Sequence, residues 1–82
     1  MELLHAFGNT LKHLRKKKSW SQEELADRSG LDRTYISLLE RGLRNPTLST
    51  IFSLANCLDY QPNQLVKEVE KELKSGSDTD ED

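Results

Sequence analysis

Hydrophobic residues recur with the period of an α-helix in five successive segments of the chain, and we predict five helices and no strand. The first predicted helix runs from about Glu2 to Lys18. Its apolar stripe consists of Leu4, Phe7, Leu11 and Leu14. The fold class predicted from this pattern is all-α, a compact five-helix domain.

The start of the second helix carries two local signals. Ser21 and Glu24 have the spacing of a capping box, in which each side chain accepts a hydrogen bond from the backbone N–H of the other residue. Trp20, directly before the cap, is spaced to pack on Leu25 as a hydrophobic staple. Both signals predict a helix that opens at residue 21.

Two short helices joined by a tight turn are predicted over residues 21–42, which form a helix-turn-helix unit. Ala26 is small where the two helices must approach closely, and Gly30 lies at the turn, where a left-handed backbone costs little. Asp32 caps the third helix, which extends to about residue 40 around the apolar anchor Ile36. Such a unit is suited to placing its second helix in a DNA groove.

Two further helices and a polar tail are predicted after the loop that contains Pro46. Thr47 can cap the fourth helix, whose expected inward residues are Leu48, Ile51, Leu54, Ala55 and Leu58. Pro62 suits the first turn of a fifth helix over residues 62–73, with an apolar face of Leu65, Val66, Val69 and Leu73. The segment KSGSDTDED has no hydrophobic residue. We therefore predict a folded domain over residues 1–73 and a disordered acidic tail over residues 74–82.

The 82 residues suffice for one small domain with a modest core, but not for an enzyme-sized cleft. The single cysteine, Cys57, excludes an internal disulfide framework and fits a reducing compartment. The N-terminal segment lacks the basic start and apolar run of a signal peptide, and no apolar stretch approaches membrane-spanning length. We expect a soluble, cytoplasmic protein.

The formal net charge of −2 hides a strong asymmetry between the two parts of the chain. Residues 1–46 carry nine Lys and Arg against six Asp and Glu, a net charge of +3. Residues 47–82 carry three Lys against eight Asp and Glu, a net charge of −5. Because phosphate attraction depends on the surface that faces the DNA, the overall negative charge does not exclude DNA binding.

Residues suited to catalysis or metal binding are few and scattered. His5 and His13 lie eight residues apart in the first helix, without an acidic or cysteine partner near them in sequence, and a zinc site needs several ligands. Cys57 lies between Asn56 and Leu58, and such a cysteine is more often a small buried hydrophobe than a nucleophile. The sequence also lacks a phosphate-binding glycine loop and a nucleophile elbow. We predict neither enzymatic activity nor a metal or cofactor.

Residues 9–66 resemble the Cro/C1-type helix-turn-helix family, which includes phage repressors and Xre-like bacterial regulators. The segment LDRTYISLLERGLRNPTL, residues 31–48, looks closest to the controller proteins of restriction-modification systems. This resemblance implies a five-helix domain that binds operator DNA as a two-fold dimer and regulates transcription. The N-terminal MELLH and the acidic tail fall outside the common pattern of the family.

The third helix is expected to enter the major groove with its N-terminal half against the base edges. Arg33 is the strongest candidate for base readout, since a guanidinium can donate two hydrogen bonds to guanine O6 and N7. The alternatives for Arg33 are a solvated surface position or a partnership with Asp32. The other candidates for base contact are Thr34, Tyr35, Ser37 and Leu38.

Three of these candidates have open alternatives. The Ser37 hydroxyl can bond a phosphate or a base. The Tyr35 ring can pack at the edge of the domain while its hydroxyl meets a phosphate. Leu38 is aliphatic where the related repressors often have a polar residue, so contact with a thymine methyl group competes with simple packing.

Phosphate contacts are expected from outside the third helix, where they position the protein without reading sequence. Gln22 starts the second helix, whose N-terminal N–H groups favour an anion. The resemblance implies that the loop after the third helix meets the DNA backbone, and hydroxyls at the start of the fourth helix can do the same. The predicted contacts are Gln22, Arg41, Arg44, Asn45, Thr47 and Ser49, with a simple capping role as the alternative for Thr47.

Arg15 and Glu40 match a pair of positions at which the family joins the first helix to the end of the third. The resemblance therefore implies a structural ion pair between Arg15 and Glu40. Its loss is expected to impair DNA binding by misplacing the third helix. Lys16, Lys17 and Lys18 are interpreted as a solvated face that adds general attraction to DNA.

A homodimer is expected because one helix that reads a few base pairs cannot select a single genomic site, whereas two copies on adjacent half-sites can. The predicted interface consists of Tyr60, Leu65, Val66, Val69 and Leu73. The alternatives are that these side chains all fold inward, or that Leu3 and Leu4 form the patch instead.

Two classes of function are compatible with the sequence. The first is a sequence-specific transcriptional regulator whose partner is double-stranded DNA. The second is a protein-interaction module that holds a partner such as a toxin, but the polar third helix favours DNA. For the acidic tail, contact with RNA polymerase and simple solvation are both open.

Overall fold

The computed structural model describes residues 2–80, with side chains described as far as residue 75, and within these bounds it contains five helices and no strand. The helices are α1 (Leu3–Lys17), α2 (Gln22–Ser29), α3 (Arg33–Glu40), α4 (Leu48–Cys57) and α5 (Pro62–Asp80). The all-α, five-helix prediction is confirmed.

One core holds the five helices together. The first helix packs against α3 and α5, α2 packs against α3 and α4, and α4 packs against α5. The buried apolar side chains are Ala6, Phe7, Leu11, Leu14, Leu25, Ala26, Ile36, Leu39, Leu54, Ala55, Leu58, Leu65 and Val69. Because α3 packs against both α1 and α2, these two helices fix its position in the domain.

Side-chain caps begin the first four helices. Glu2, Ser21, Asp32 and Thr47 each accept a hydrogen bond from a backbone N–H in the first turn of the helix that follows. The capping box at Ser21 is only half formed, because the carboxylate of Glu24 accepts a hydrogen bond from Nε of Arg28 at 2.7 Å. The prediction that the Glu24 side chain accepts a hydrogen bond from the backbone N–H of Ser21 is therefore wrong, because Arg28, one turn further along α2, competes for that carboxylate.

The same four helices end in a left-handed residue, which turns the chain sharply towards the next element. The residues with positive φ are Ser19, Gly30, Gly42 and Asp59. At each end, the backbone N–H of the following residue reaches back to a carbonyl of the last helical turn, as from Leu31 to Ala26 at 3.1 Å. Gly30 has the left-handed conformation that the sequence predicted for the turn between α2 and α3.

Two apolar residues that the sequence placed on inward faces lie at the surface. Leu48 is 71% exposed because it is the first residue of α4, directly after the cap, and its side chain projects away from the core. Val66 is 45% exposed, since α5 turns the neighbouring Leu65 and Val69 into the core instead. Leu48 and Val66 therefore contribute exposed apolar surface on α4 and α5, which pack against each other.

The fifth helix is longer than predicted. It runs to Asp80 rather than to Leu73, and within the predicted part of the helix Lys71 Nζ pairs with Glu68 Oε2 at 3.2 Å. Leu73 is the last of its apolar residues to contact the core. The predicted disordered tail falls partly on residues 81 and 82, which lie outside the described residues, and its disorder stays a prediction.

Candidate nucleic-acid interface

The outward face of α3 carries the side chains predicted to contact bases. Arg33 and Thr34 are exposed, and Ser37 and Leu38, one turn further along, are half-buried. The inward face consists of Ile36, Leu39 and Glu40. The helical period thus places the polar side chains of α3 on one surface and its buried side chains on the opposite face.

Arg33 forms no hydrogen bond or ion pair with any residue whose side chain the structure describes. The carboxylate of Asp32, its alternative partner, instead accepts hydrogen bonds from the backbone N–H groups of Thr34 at 3.0 Å and Tyr35 at 3.4 Å. The guanidinium therefore keeps its full set of donors for an external acceptor.

The hydroxyl of Tyr35 belongs to a short chain of hydroxyl groups that links α3 to the start of α4. It lies 3.2 Å from Oγ1 of Thr50, which lies 3.0 Å from Oγ1 of the cap residue Thr47. The Tyr35 ring is half-buried against the core. Of the two alternatives for Tyr35, packing of the ring at the domain edge is observed, and contact of the hydroxyl with DNA stays a prediction. Thr50 was not identified from the sequence, because a buried threonine three residues after a cap has no distinctive pattern.

A buried carboxylate connects three helices behind the recognition surface. Glu40 accepts hydrogen bonds from Arg15 Nε at 2.6 Å and from Arg15 Nη2 at 2.9 Å. It also accepts one from Nε2 of Gln22 at 3.0 Å, while Nη1 of Arg15 donates to the carbonyl of Trp20 at 2.8 Å. Hydrogen bonding to Glu40 raises the pKa of Arg15 above its ordinary value. The structure thus brings Arg15 and Glu40 together, and it gives Gln22 an intramolecular partner in addition to its predicted phosphate.

The other residues predicted to contact phosphate lie at the surface after α3. Arg41 and Arg44 are exposed and make only contacts to backbone carbonyls near in sequence, at 3.4 Å and 3.1 Å respectively. Asn45 and Ser49 are exposed. Thr47 is exposed as well, and it caps α4 through the backbone N–H of Thr50. The capping alternative for Thr47 is therefore observed, and a phosphate contact by the same hydroxyl stays a prediction.

The lysines at the C-terminal end of α1 differ in whether an acidic side chain pairs with them. Lys16 and Lys17 are exposed, whereas Nζ of Lys18 lies 2.7 Å from Oδ2 of Asp59. The hydrogen bond from Lys18 lowers the pKa of the Asp59 carboxyl.

The guanidinium of Arg28 stacks on the Trp20 ring, 4.4 Å from its centroid. Trp20 is half-buried against the core, in keeping with its predicted role at the start of α2.

The titratable residues outside this surface form no catalytic arrangement within the described part of the chain. His5 is exposed and lies 3.8 Å from Glu2, and no group of His, Cys, Asp or Glu residues in that part could hold a metal ion. Cys57 is a free, half-buried cysteine whose Sγ contacts the carbonyl of Leu54 at 3.4 Å, and burial raises the pKa of its thiol. Among the described residues, no helix is long and apolar enough to cross a membrane.

The five residues predicted for a dimer interface are divided between core and surface. Leu65 and Val69 are buried within the protomer, so their side chains already belong to its own core. Tyr60 and Leu73 are half-buried, and Val66 alone is exposed. Sequence analysis missed the exposed Phe52, although its spacing of four residues from Leu48 places both on one face of α4.

Comparison with known proteins gave consistent matches over the helices that carry this surface. The sequence profile of the helix-turn-helix family matches residues 11–65. The control protein C.MunI from a Mycoplasma species is 43% identical over 67 residues, which cover 80% of this chain and 90% of that protein.

Two solved structures extend the similarity to the fold. The restriction-modification controller protein C.AhdI from Aeromonas hydrophila is 50% identical, with a TM-score of 0.73, and the match covers 76% of this chain and 94% of that one. The controller protein C.Esp1396I, solved as a tetramer in complex with its natural 35 base-pair operator, is 35% identical, with a TM-score of 0.79. That match covers 88% of this chain and 95% of the other.

Proposed function

The chain belongs to the Cro/C1-type helix-turn-helix family of transcriptional regulators, and from this premise we propose that it binds a two-fold symmetric operator as a homodimer with α3 in the major groove. Its similarity to restriction-modification controller proteins, predicted from residues 31–48, is confirmed. The controller protein C.Esp1396I forms a tetramer on its own operator, which supports operator binding by this chain.

The observation that carries the proposal is the outward face of α3. Arg33 and Thr34 are exposed and able to hydrogen-bond, while the other face of the helix is fixed in the core by Leu39 and Glu40. A rigid helix with free donors on one side is what direct readout of base edges requires. A surface that binds protein is expected to be more apolar at its centre.

Dimerisation is supported by an apolar face that spans three helices, here called the apolar face and defined by Leu3, Leu48, Ile51, Phe52 and Val66. Four of these side chains are exposed by 45% to 71%, and Ile51 is half-buried. A groove lined by residues of α1, α4 and α5 includes three of them, Leu3, Ile51 and Val66. Exposed apolar patches of this kind mark association surfaces on small domains. A second copy of the chain is the expected occupant, because a two-fold operator needs a two-fold protein.

The proposal is tested by selecting binding sites from a random duplex library and measuring affinity against salt concentration. We expect recovery of a two-fold symmetric site whose half-sites lie about one helical turn, roughly 34 Å, apart. Affinity for that site should exceed affinity for a scrambled duplex by about 1,000-fold or more. No enrichment, together with weak binding that falls steeply with salt, would contradict the proposal and favour a protein-interaction module.

A further inference from the structure

Gly8 lies in the interior of α1, where glycine is among the poorest helix-forming residues. Its backbone is packed tightly against the end of α3. A Cβ atom built at Gly8 would lie 2.6 Å from the carbonyl oxygens of both Leu39 and Glu40, and 2.9 Å from the carbonyl carbon of Glu40. These are backbone atoms, which cannot rotate away as a flexible side chain can.

The same turn of α3 meets α1 at two further points. Arg15, seven residues after Gly8 and therefore on the same side of α1, holds the Glu40 carboxylate. His5, three residues before Gly8, lies against Gly42, where an added Cβ would be 2.9 Å from the ring. The last turn of α3 thus rests on one side of α1, and at Gly8 the two backbones lie so close that an added Cβ has no room.

We propose that Gly8 is a positioning residue that sets how far the C-terminal end of α3 stands from α1, and hence how α3 presents Arg33 and its neighbours to the base edges. The DNA part of this inference rests on the proposed function. The two ends of α3 are held by different elements: near the start, the Tyr35 hydroxyl lies 3.2 Å from Oγ1 of Thr50 on α4, and the last turn rests on α1. A side chain at residue 8 therefore tilts the helix rather than shifting it as a whole. Hydrogen bonds to base edges tolerate such a tilt poorly, because their strength falls steeply with distance and angle.

The test compares Gly8→Ala with Gly30→Ala in the full chain. Gly30 has a positive φ of 75°, and nothing lies within 4 Å of an added Cβ, so its substitution strains the backbone without a contact against α1. Two affinities are measured for each variant, one for a duplex pool selected with the parent chain and one for a scrambled duplex. The folded fraction is followed by circular dichroism.

For Gly8→Ala we expect at least a tenfold loss of affinity for the selected pool, with affinity for the scrambled duplex unchanged within about twofold, because nonspecific binding depends on charge rather than on the tilt of α3. For Gly30→Ala we expect a lower melting temperature but a ratio of the two affinities within threefold of the parent. The inference would be overturned by a folded Gly8→Ala protein whose ratio of affinity for the selected pool to affinity for the scrambled duplex equals that of the parent.

If Gly8→Ala is partly unfolded, the affinities are measured in enough trimethylamine N-oxide to restore the circular dichroism signal. The ratio should stay low although the fold has returned. A ratio that recovers with the fold would mean that Gly8 matters only for stability, and the inference would be wrong.

Backbone amide chemical shifts of the free proteins separate failure of this inference from failure of the proposed function. Gly8→Ala should shift amides from Leu39 to Gly42 and onward to Arg33, whether or not the parent selects any duplex. Changes confined to α1 would refute the role of Gly8. A parent chain without duplex preference would instead refute the proposed function alone.

Discussion

Some side chains of α3 are hydrogen-bonded inside the domain, whereas others keep their donors available at the surface. Glu40 is fully engaged by Arg15 and Gln22, and Tyr35 by Thr50, whereas Arg33 has no described partner. A buried ion pair that loses one partner typically costs about 3–5 kcal/mol, so Arg15 and Glu40 are expected to act through the position of α3. Arg33, by contrast, is expected to act by direct contact.

Replacing Arg33 with alanine is expected to lower operator affinity by about 1–3 kcal/mol and to relax base preference at one position of each half-site, because a bidentate contact to guanine is lost. Site selection with the variant measures both effects. Arg33→Lys serves as the control, since it keeps the charge but not the paired donors. Equal weakening on every sequence would show that Arg33 contacts phosphate instead.

At the scale of the helices, short local motifs define where each element begins and ends. The cap at Asp32 starts α3, and the left-handed residues Gly30 and Gly42 end α2 and α3. An isolated helix as short as α3 is unstable in water, so its order depends on these caps and on its contacts with α1 and α2. Substitutions at the cap residues should therefore affect the stability of the domain more than its affinity for DNA.

Asp32→Ala is expected to lower the free energy of unfolding by about 1 kcal/mol, because two backbone N–H groups of α3 lose their acceptor. Asp32→Asn keeps a capping oxygen, and its free energy of unfolding should stay within about 0.5 kcal/mol of the parent value. Both variants remove a negative charge beside the proposed DNA surface and should bind a scrambled duplex somewhat more tightly. Thermal unfolding and duplex titrations measure the two effects. Equal destabilisation by Ala and Asn would contradict the capping explanation.

At the scale of the whole molecule, the part of the chain that contains α3 is positively charged, and four of the five residues of the apolar face lie in the other part. Residues 1–46, which contain α1 to α3, carry a net charge of +3, and the rest of the chain carries −5. The apolar face lies on the outer sides of α1, α4 and α5. We expect α3 to meet DNA and the apolar face to meet a second copy of the chain.

Phe52→Glu is expected to weaken dimerisation at least tenfold, since it places a charge within the apolar face, while leaving the monomer folded because Phe52 is 53% exposed. Asn63→Glu adds the same charge on α5 beside Tyr60, in the region where the sequence predicted the interface, and it should have little effect. Sedimentation equilibrium measures both. Loss of the dimer with Asn63→Glu alone would favour the predicted interface around Tyr60 over the apolar face.

Removal of residues 75–82 deletes four acidic residues and no basic ones, which changes the formal net charge from −2 to +2. Since Leu73 is the last apolar residue of α5 that packs on the core, the domain should stay folded. Affinity for DNA should be unchanged or slightly higher, as measured by duplex titration at fixed salt. A marked loss of affinity would contradict a purely solvating tail.

The sequence by itself determined the order of the helices, the starts of α2 to α5 and most of the separation of polar from apolar faces, because helical periodicity and caps are local properties of neighbouring residues. Asp32, Gly30 and the outward position of Arg33 could all be identified in this way. The resemblance to a known family also identified Arg15 and Glu40 as partners, although they lie 25 residues apart.

Only the tertiary structure decided which apolar residues stay at the surface and where backbones touch. Leu48 and Val66 fit the periodic pattern of an inward face, yet both are exposed, because the neighbouring helices cover only part of each apolar face. The contact of Gly8 with the end of α3 left no signal in the sequence beyond a glycine within a helix. Burial and close approach depend on how distant segments pack, and no local pattern specifies that packing.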